Sequence, residues 1–296
     1  MRETIVFVFI RIILLFVFLT DSFFTMDIRK LFSKSDYLYQ KPLFLANPHG
    51  WIPHIPFAFF LVETMKPRVI LELGTYSGNS YFAFCQAVKQ LQLSSRCVAV
   101  DTWKGDIHVG NYANDVYERV KEINKKEFSG FSELMQMRFD VASHNFSDGS
   151  IDILHIDGTH TYDAVKNDFT NWLPKVRRGG VILLHDTMVR KKDFGVWKFL
   201  KEIKEQYRIL EFPFSEGLAL VCKDAHSNPE LIEFIKLAKK DPTLIRFFEA
   251  LGNNILLERE KSLFRDEVLK MRKKTAKLNR QLLENKKEIK KLKRKI

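Results

Sequence analysis

The stretch VILELGTYSGNS, residues 69 to 80, limits what this chain can fold into more than any other. The run from Val69 to Leu73 reads as a buried parallel strand, and Asn79 to Leu91 as the helix that follows it. Between them, Gly74 and Gly78 let the backbone turn sharply and approach a ligand where a side chain would collide. Such a unit belongs to a doubly wound α/β sheet and builds a nucleotide cradle. The spacing G-T-Y-S-G lacks the third glycine of the dinucleotide pattern G-x-G-x-x-G, and Glu72 at the strand's end suits a cationic ligand better than a diphosphate.

The next strand, Arg96 to Val100, ends at Asp101, where a carboxylate can accept hydrogen bonds from both hydroxyls of a ribose. A loop containing Trp103, Asp106, His108 and Tyr112 follows, in the position where open α/β sheets bind substrates. A third strand, Leu134 to Phe139, would leave Asp140 and Ser143 at its tip. The segment from Ser150 to Val189 predicts a strand ending at Asp157, a helix from about Tyr162, and a further strand ending at His185 and Asp186. Two carboxylates are thereby presented on one edge of the sheet, as a magnesium site requires. His54, in a proline-marked loop before the first strand, reads as a surface or packing residue.

Composition enters through charge. The net charge is +12, but residues 270 to 296 hold 13 Lys and Arg against two Glu, so the rest of the chain is nearly neutral. A nucleic-acid partner would rest on that tail alone and is not expected. Along it, Phe264, Val268, Met271, Thr275, Leu278, Leu282, Asn285, Ile289, Leu292 and Ile296 alternate by four and three, the seam of a coiled coil. This predicts a homodimer, with the cationic outer face either solvated or drawn to an anionic surface. At the other end, residues 4 to 19 are apolar except Thr4 and Arg11 and would span about 24 Å as a helix. Two readings stay open there: a membrane anchor, with the body held on the cytoplasmic side by Arg29, Lys30 and Lys34, or translation starting at Met26. Three cysteines without a C-x-x-C pattern read as reduced core residues.

The pattern E-x-G-x-x-x-G (Glu72, Gly74, Gly78) resembles the first motif of class I S-adenosylmethionine-dependent methyltransferases, and ELGTYSGNS is similar to the metal-dependent catechol-type O-methyltransferases. The set Asp157, Gly158, His160, Tyr162, Asp168, Trp172, Gly179, Gly180, His185 and Asp186 resembles the arrangement in sugar O-methyltransferases of the family 24 type. The two together cover roughly residues 69 to 222. The resemblance implies a seven-stranded Rossmann-like methyltransferase sheet. It implies S-adenosylmethionine held by Glu72, Gly74, Tyr76, Ser77, Gly78, Asp101, Trp103, Asp140 and Ser143, Mg²⁺ on Asp157 and Asp186, and His160 as general base. Relatives often place Asn after the second metal carboxylate where this chain has Thr187, which leaves the third ligand open, and His185 stands between metal ligand and supporting residue. Asp168 is expected in a salt bridge or cap.

The expected organisation is a hydrophobic segment over 1–25, a methyltransferase domain over 26–224, a helical extension over 225–255 and a basic coiled coil over 256–296. The expected reaction is methyl transfer to a hydroxyl of a sugar or cell-surface glycan precursor, in the cytoplasm or at the inner face of the membrane. A catechol-like small molecule is the alternative acceptor. A non-catalytic anchored scaffold and a nicotinamide oxidoreductase are the rival classes, the latter disfavoured by the missing glycine.

Overall fold

The computed structural model describes residues 36–108, 110–112, 115–191 and 193–292. The hydrophobic segment over 1–25 and the choice between Met1 and Met26 lie outside the described residues, as does Ile296 of the seam. Among the described residues no helix is long and apolar enough to cross a membrane.

Seven strands form the sheet: β1 (Val69–Leu73), β2 (Arg96–Asp101), β3 (Ser132–Gln136), β4 (Ile151–Ile156), β5 (Val176–His185), β6 (Arg208–Phe212) and β7 (Leu218–Cys222). Their spatial order is β3-β2-β1-β4-β5-β7-β6. The first five run parallel, and β7 inserts antiparallel between β5 and β6. This is the Rossmann-like methyltransferase sheet with its reversed last strand. The inner parallel strands are buried on both faces, which is why β1, β2 and β4 read as apolar runs instead of alternating.

One face is covered by α1 (Ile55–Met65), α2 (Asn79–Gln90) and α6 (Pro229–Lys240), together with the first turns of α7 (Thr243–Leu292); α3 (Asp115–Ile123) adds Val120 at its margin. The other is covered by α4 (Tyr162–Trp172) and α5 (Val196–Ile203). Phe57, Phe60, Phe212, Phe234 and Phe248 form one aromatic cluster on the first face. Cys85, Cys97 and Cys222 are free and buried.

Two sequence expectations need correcting. The third strand runs from Ser132 to Gln136 and not to Phe139, because Phe139–Ala142 already forms a helical turn. The expected boundary at 255 falls inside one continuous 50-residue helix, α7. Its early turns bury Leu244, Phe248 and Leu251 against the body, so the helix that completes the core is the same one that leaves it.

Candidate active site

Register brings the two informative segments together. Asp157 N–H, just past β4, donates to the Leu73 carbonyl at the end of β1 (2.8 Å), and Gly74 N–H donates to the Val100 carbonyl of β2 (2.9 Å). Gly74 has φ 88°, and a Cβ there would lie 2.1 Å from the Asp157 carbonyl oxygen, so both the backbone turn and the close approach demand glycine. The glycine turn and the first acidic strand end therefore form one surface.

That surface is part of a cleft of about 670 Å³. Of the residues expected to hold a cofactor, Gly74, Tyr76, Ser77, Asp101 and Asp140 line it, as do Asp157, His160 and Asp186. The Asp101 carboxylate accepts the backbone N–H groups of Tyr76 and Trp103, each at 2.8 Å, and lies on the cleft wall with lone pairs to spare for a ligand. Burial raises its pKa and these hydrogen bonds oppose the rise. At the start of α2, Gly78 caps without a side chain, leaving the first N–H groups of the helix for an anionic group.

Four expected cofactor residues do not line the cleft. Glu72 is fully buried on the opposite side of β1 from Leu71 and Leu73, and its Oε2 accepts from His155 Nδ1 (2.8 Å). His155 Nε2 in turn accepts from the Trp51 indole N–H (3.1 Å). Glu72 therefore holds a buried Trp–His–Glu chain, and it is Trp51, not Glu72, that reaches the cleft. Trp103 is buried and donates its indole N–H to the Tyr76 carbonyl (3.0 Å), shaping the turn from behind. Gly78 lies at the helix start, and the Ser143 hydroxyl donates to the Asp140 carbonyl (2.7 Å).

The acidic strand ends are paired with imidazoles. His185 Nδ1 lies 3.2 Å from Asp157 Oδ1 and 3.5 Å from Asp186 Oδ2, and His160 Nδ1 lies 3.0 Å from Asp186 Oδ2. Burial works against both charges, yet the neighbouring carboxylates hold the His185 pKa well above its ordinary value, and the His185 charge and hydrogen bond hold Asp157 well below the usual carboxylate range. Asp186 adopts the left-handed region (φ 59°), a conformation uncommon outside glycine that turns the chain as it leaves β5. The ligand atoms of Asp157, His160 and Asp186 all lie within 4.8 Å of one another. The two carboxylates are a donor set that fits a divalent cation, with the His160 imidazole beside it.

The loop after β5 folds back so that Gly195 N–H donates to the His160 carbonyl (2.7 Å), and Phe194 stacks on the His160 ring at 4.9 Å and 10°. His108, from the loop after β2, packs against both rings, 4.4 Å from Phe194 and 5.3 Å from His160, and reaches Asp193 through Nε2 (2.9 Å). Sequence reasoning missed Phe194 and Trp51. The signal for Trp51 was its N-P-H-G-W loop, which the structure clamps to the start of α2: the Asn79 side chain accepts from Ala46 N–H and donates to the Ala46 and Pro48 carbonyls. Asp168, expected in a salt bridge or cap, lines the cleft, with no cationic partner among the described residues. Burial pushes its pKa up to about 7, and nearby Asp140 adds to the rise. His54 is fully buried, stacked on Phe214 (4.7 Å), and neither ring nitrogen has a hydrogen-bond partner among the described residues. Its pKa is pushed well down by burial, then by His185 and His155.

Residues 71–187, which hold the glycine turn, Asp101 and both acidic strand ends, match the model of the methyltransferase domain family. The chain carries a methyltransferase domain. A protein of Sinorhizobium fredii described as uncharacterised is 45% identical over 176 residues, which are 59% of this chain and 19% of that protein. The chain thus spans about a fifth of the length of that relative. Solved structures similar to the methyltransferase domain include an SAH-bound methyltransferase of Podospora anserina (17% identity, 57% of this chain and 77% of that one, TM-score 0.44). Others are a methyltransferase of Geobacter sulfurreducens (15%, 57% and 78%, 0.44) and the O-methyltransferase TomG of Streptomyces achromogenes in complex with SAM (17%, 61% and 81%, 0.42).

Proposed function

We propose that this protein transfers the methyl group of S-adenosylmethionine to a hydroxyl of a sugar or cell-surface glycan precursor. The observation that carries the reading is the continuity of the glycine turn with the Asp157–His160–Asp186 cluster across one cleft, since methyl transfer needs a sulfonium donor and a deprotonated acceptor side by side. Gly74, Tyr76, Ser77 and the free N–H groups at the start of α2 hold the amino-acid end of the cofactor, Asp101 takes the ribose hydroxyls, and Asp140 with Asp168 faces the base. Trp51, Tyr112 and Phe194 supply apolar ring faces on which a sugar can lie.

An alcohol is a weak nucleophile, and its proton must leave as the bond to carbon forms. His160 Nδ1 lies 3.0 Å from Asp186 Oδ2, so a proton on Nδ1 faces that carboxylate and Nε2 carries the lone pair that takes the acceptor's proton. The acceptor oxygen then attacks the methyl carbon in line. The carbon–sulfur bond breaks, its electron pair stays on sulfur, and S-adenosylhomocysteine leaves. A divalent cation, Mg²⁺ in this reading, would be held by Asp157 and Asp186 and would lower the pKa of the acceptor hydroxyl. The reaction is placed in the cytoplasm, with the hydrophobic amino-terminal segment or the basic tail as the route to a membrane face.

The test incubates the protein with labelled S-adenosylmethionine, with and without Mg²⁺, and a panel of nucleotide-sugars, glycans and catechols. Label in a sugar supports the proposal, and label in catechols alone moves the acceptor class. Calorimetry that detects neither S-adenosylmethionine nor S-adenosylhomocysteine binding would leave the protein a scaffold.

A further inference from the structure

The outer part of α7 presents an apolar line that nothing among the described residues covers. Phe264, Met271, Leu278, Leu282 and Ile289 are 53 to 66% exposed, an unusual state for side chains of this size repeated at three- and four-residue spacing. From Phe264 to Ile289 the line runs about 38 Å, at 1.5 Å per residue. We propose that it is covered by the same helix of a second copy of this chain, parallel and in register, so that two methyltransferase domains stand at the same end of one coiled coil.

The charges beside the line select this partner. In the heptad that puts Val268, Thr275, Leu282 and Ile289 at one core position and Phe264, Met271 and Leu278 at the other, the flanking positions are Glu260, Glu267, Lys274 and Gln281 on one side. Arg265, Arg272, Asn279 and Lys286 flank the other. A parallel, in-register pair brings each residue of the first set against the residue five further on in its partner. Glu260 then meets Arg265, Glu267 meets Arg272, Lys274 meets Asn279 and Gln281 meets Lys286, with two attractive pairs and no repulsive one. An antiparallel pair would set the second side against itself, bringing Arg265, Arg272 and Lys286 together across the interface.

The body leaves room for this arrangement. Leu244, Phe248, Leu251 and Gly252 of α7 pack on it, the last so close that a Cβ would lie 2.0 Å from the Pro53 carbonyl oxygen, and Ile245, Phe247, Ile255 and Leu256 are partly buried against the same core. Arg259 extends the same contact by donating to His49 Nδ1 (2.9 Å) and Asn47 Oδ1 (2.8 Å). All of these packed residues precede Leu257, which is 48% exposed, and Arg259 falls on the side of the helix away from the core line. The domain meets the helix before the exposed line begins, and a partner helix can approach along that line.

Sedimentation of the full chain at micromolar concentration should give twice the mass of one chain. Leu278→Glu should halve that mass and leave S-adenosylmethionine affinity unchanged, which keeps this test separate from the proposed reaction. Arg265→Glu with Arg272→Glu should also give monomers, and adding Glu260→Arg with Glu267→Arg should restore the dimer. Leu278→Cys should cross-link two copies on oxidation, because only the parallel, in-register pair brings position 278 opposite itself. A wild-type monomer overturns the proposal; if that monomer binds phosphatidylserine vesicles, the exposed face belongs to a membrane. A dimer that ignores the charge reversals, or that Leu278→Cys fails to cross-link, overturns the parallel orientation.

Discussion

Asp101 and Asp186 both stand at carboxyl ends of parallel strands, yet their surroundings differ in kind. Asp101 is satisfied by backbone N–H groups from Tyr76 and Trp103, which do not titrate. Asp186 meets the imidazoles of His160 and His185, and Asp157 shares the latter. The proposed cofactor side of the cleft is thus held by donors that do not titrate, and the proposed acceptor side by carboxylates and imidazoles. A binding surface benefits from the first arrangement and a proton-transfer surface from the second.

The comparison breaks most visibly at His160. His160→Ala should lower kcat by roughly 10²- to 10⁴-fold while calorimetric affinity for S-adenosylmethionine stays within about twofold, since the ring lies on the acceptor side. A variant that kept most of its turnover would remove His160 from the chemistry. Gly74→Ala probes the seam where the two sides touch: the left-handed backbone and the overlap with the Asp157 carbonyl should together cost about 2 to 5 kcal/mol of unfolding free energy. Denaturant titration measures that loss, and cofactor binding should fall with it. An alanine that is accommodated without loss would mean that the two sides are not rigidly joined.

Asp101→Ala should weaken S-adenosylmethionine binding at least tenfold, because a charge-assisted hydrogen bond is worth roughly 1.5 to 3 kcal/mol. Unaltered affinity would show that the ribose lies elsewhere. The smallest effect is expected at Asp168. Its folded pKa of about 7 exceeds the ordinary 3.8, so between those values the folded state keeps a proton that the unfolded state has released. Its contribution is therefore fully favourable below the ordinary carboxylate range and is lost as pH rises toward 7. Asp168→Asn should flatten that fall and raise stability at pH 8, with an upper bound of about 4 kcal/mol. Melting temperatures of both proteins from pH 4 to 8 would decide it, and parallel curves would place the Asp168 proton in bulk solvent.

Much of this was written locally. The strand Val69–Leu73, the glycine turn, the helix from Asn79 and the acidic ends at Asp101, Asp157 and Asp186 could be located from short-range patterns, because apolar runs and turn residues act through neighbours a few positions away. The three- and four-residue spacing in the tail was legible for the same reason. What each side chain faces was not. Glu72 has the spacing of a ligand residue and turns instead to His155, 83 positions away, because the pleat sends it under the sheet. Asp168 looks like a helix-surface acid until α4 docks and turns it into the cleft beside Asp140. Phe194 becomes part of the site only when its loop folds back on His160. Helices and strands follow from the chain's own periodicity, but partners across the sheet are chosen by packing between segments far apart in sequence, and only the tertiary structure decides them.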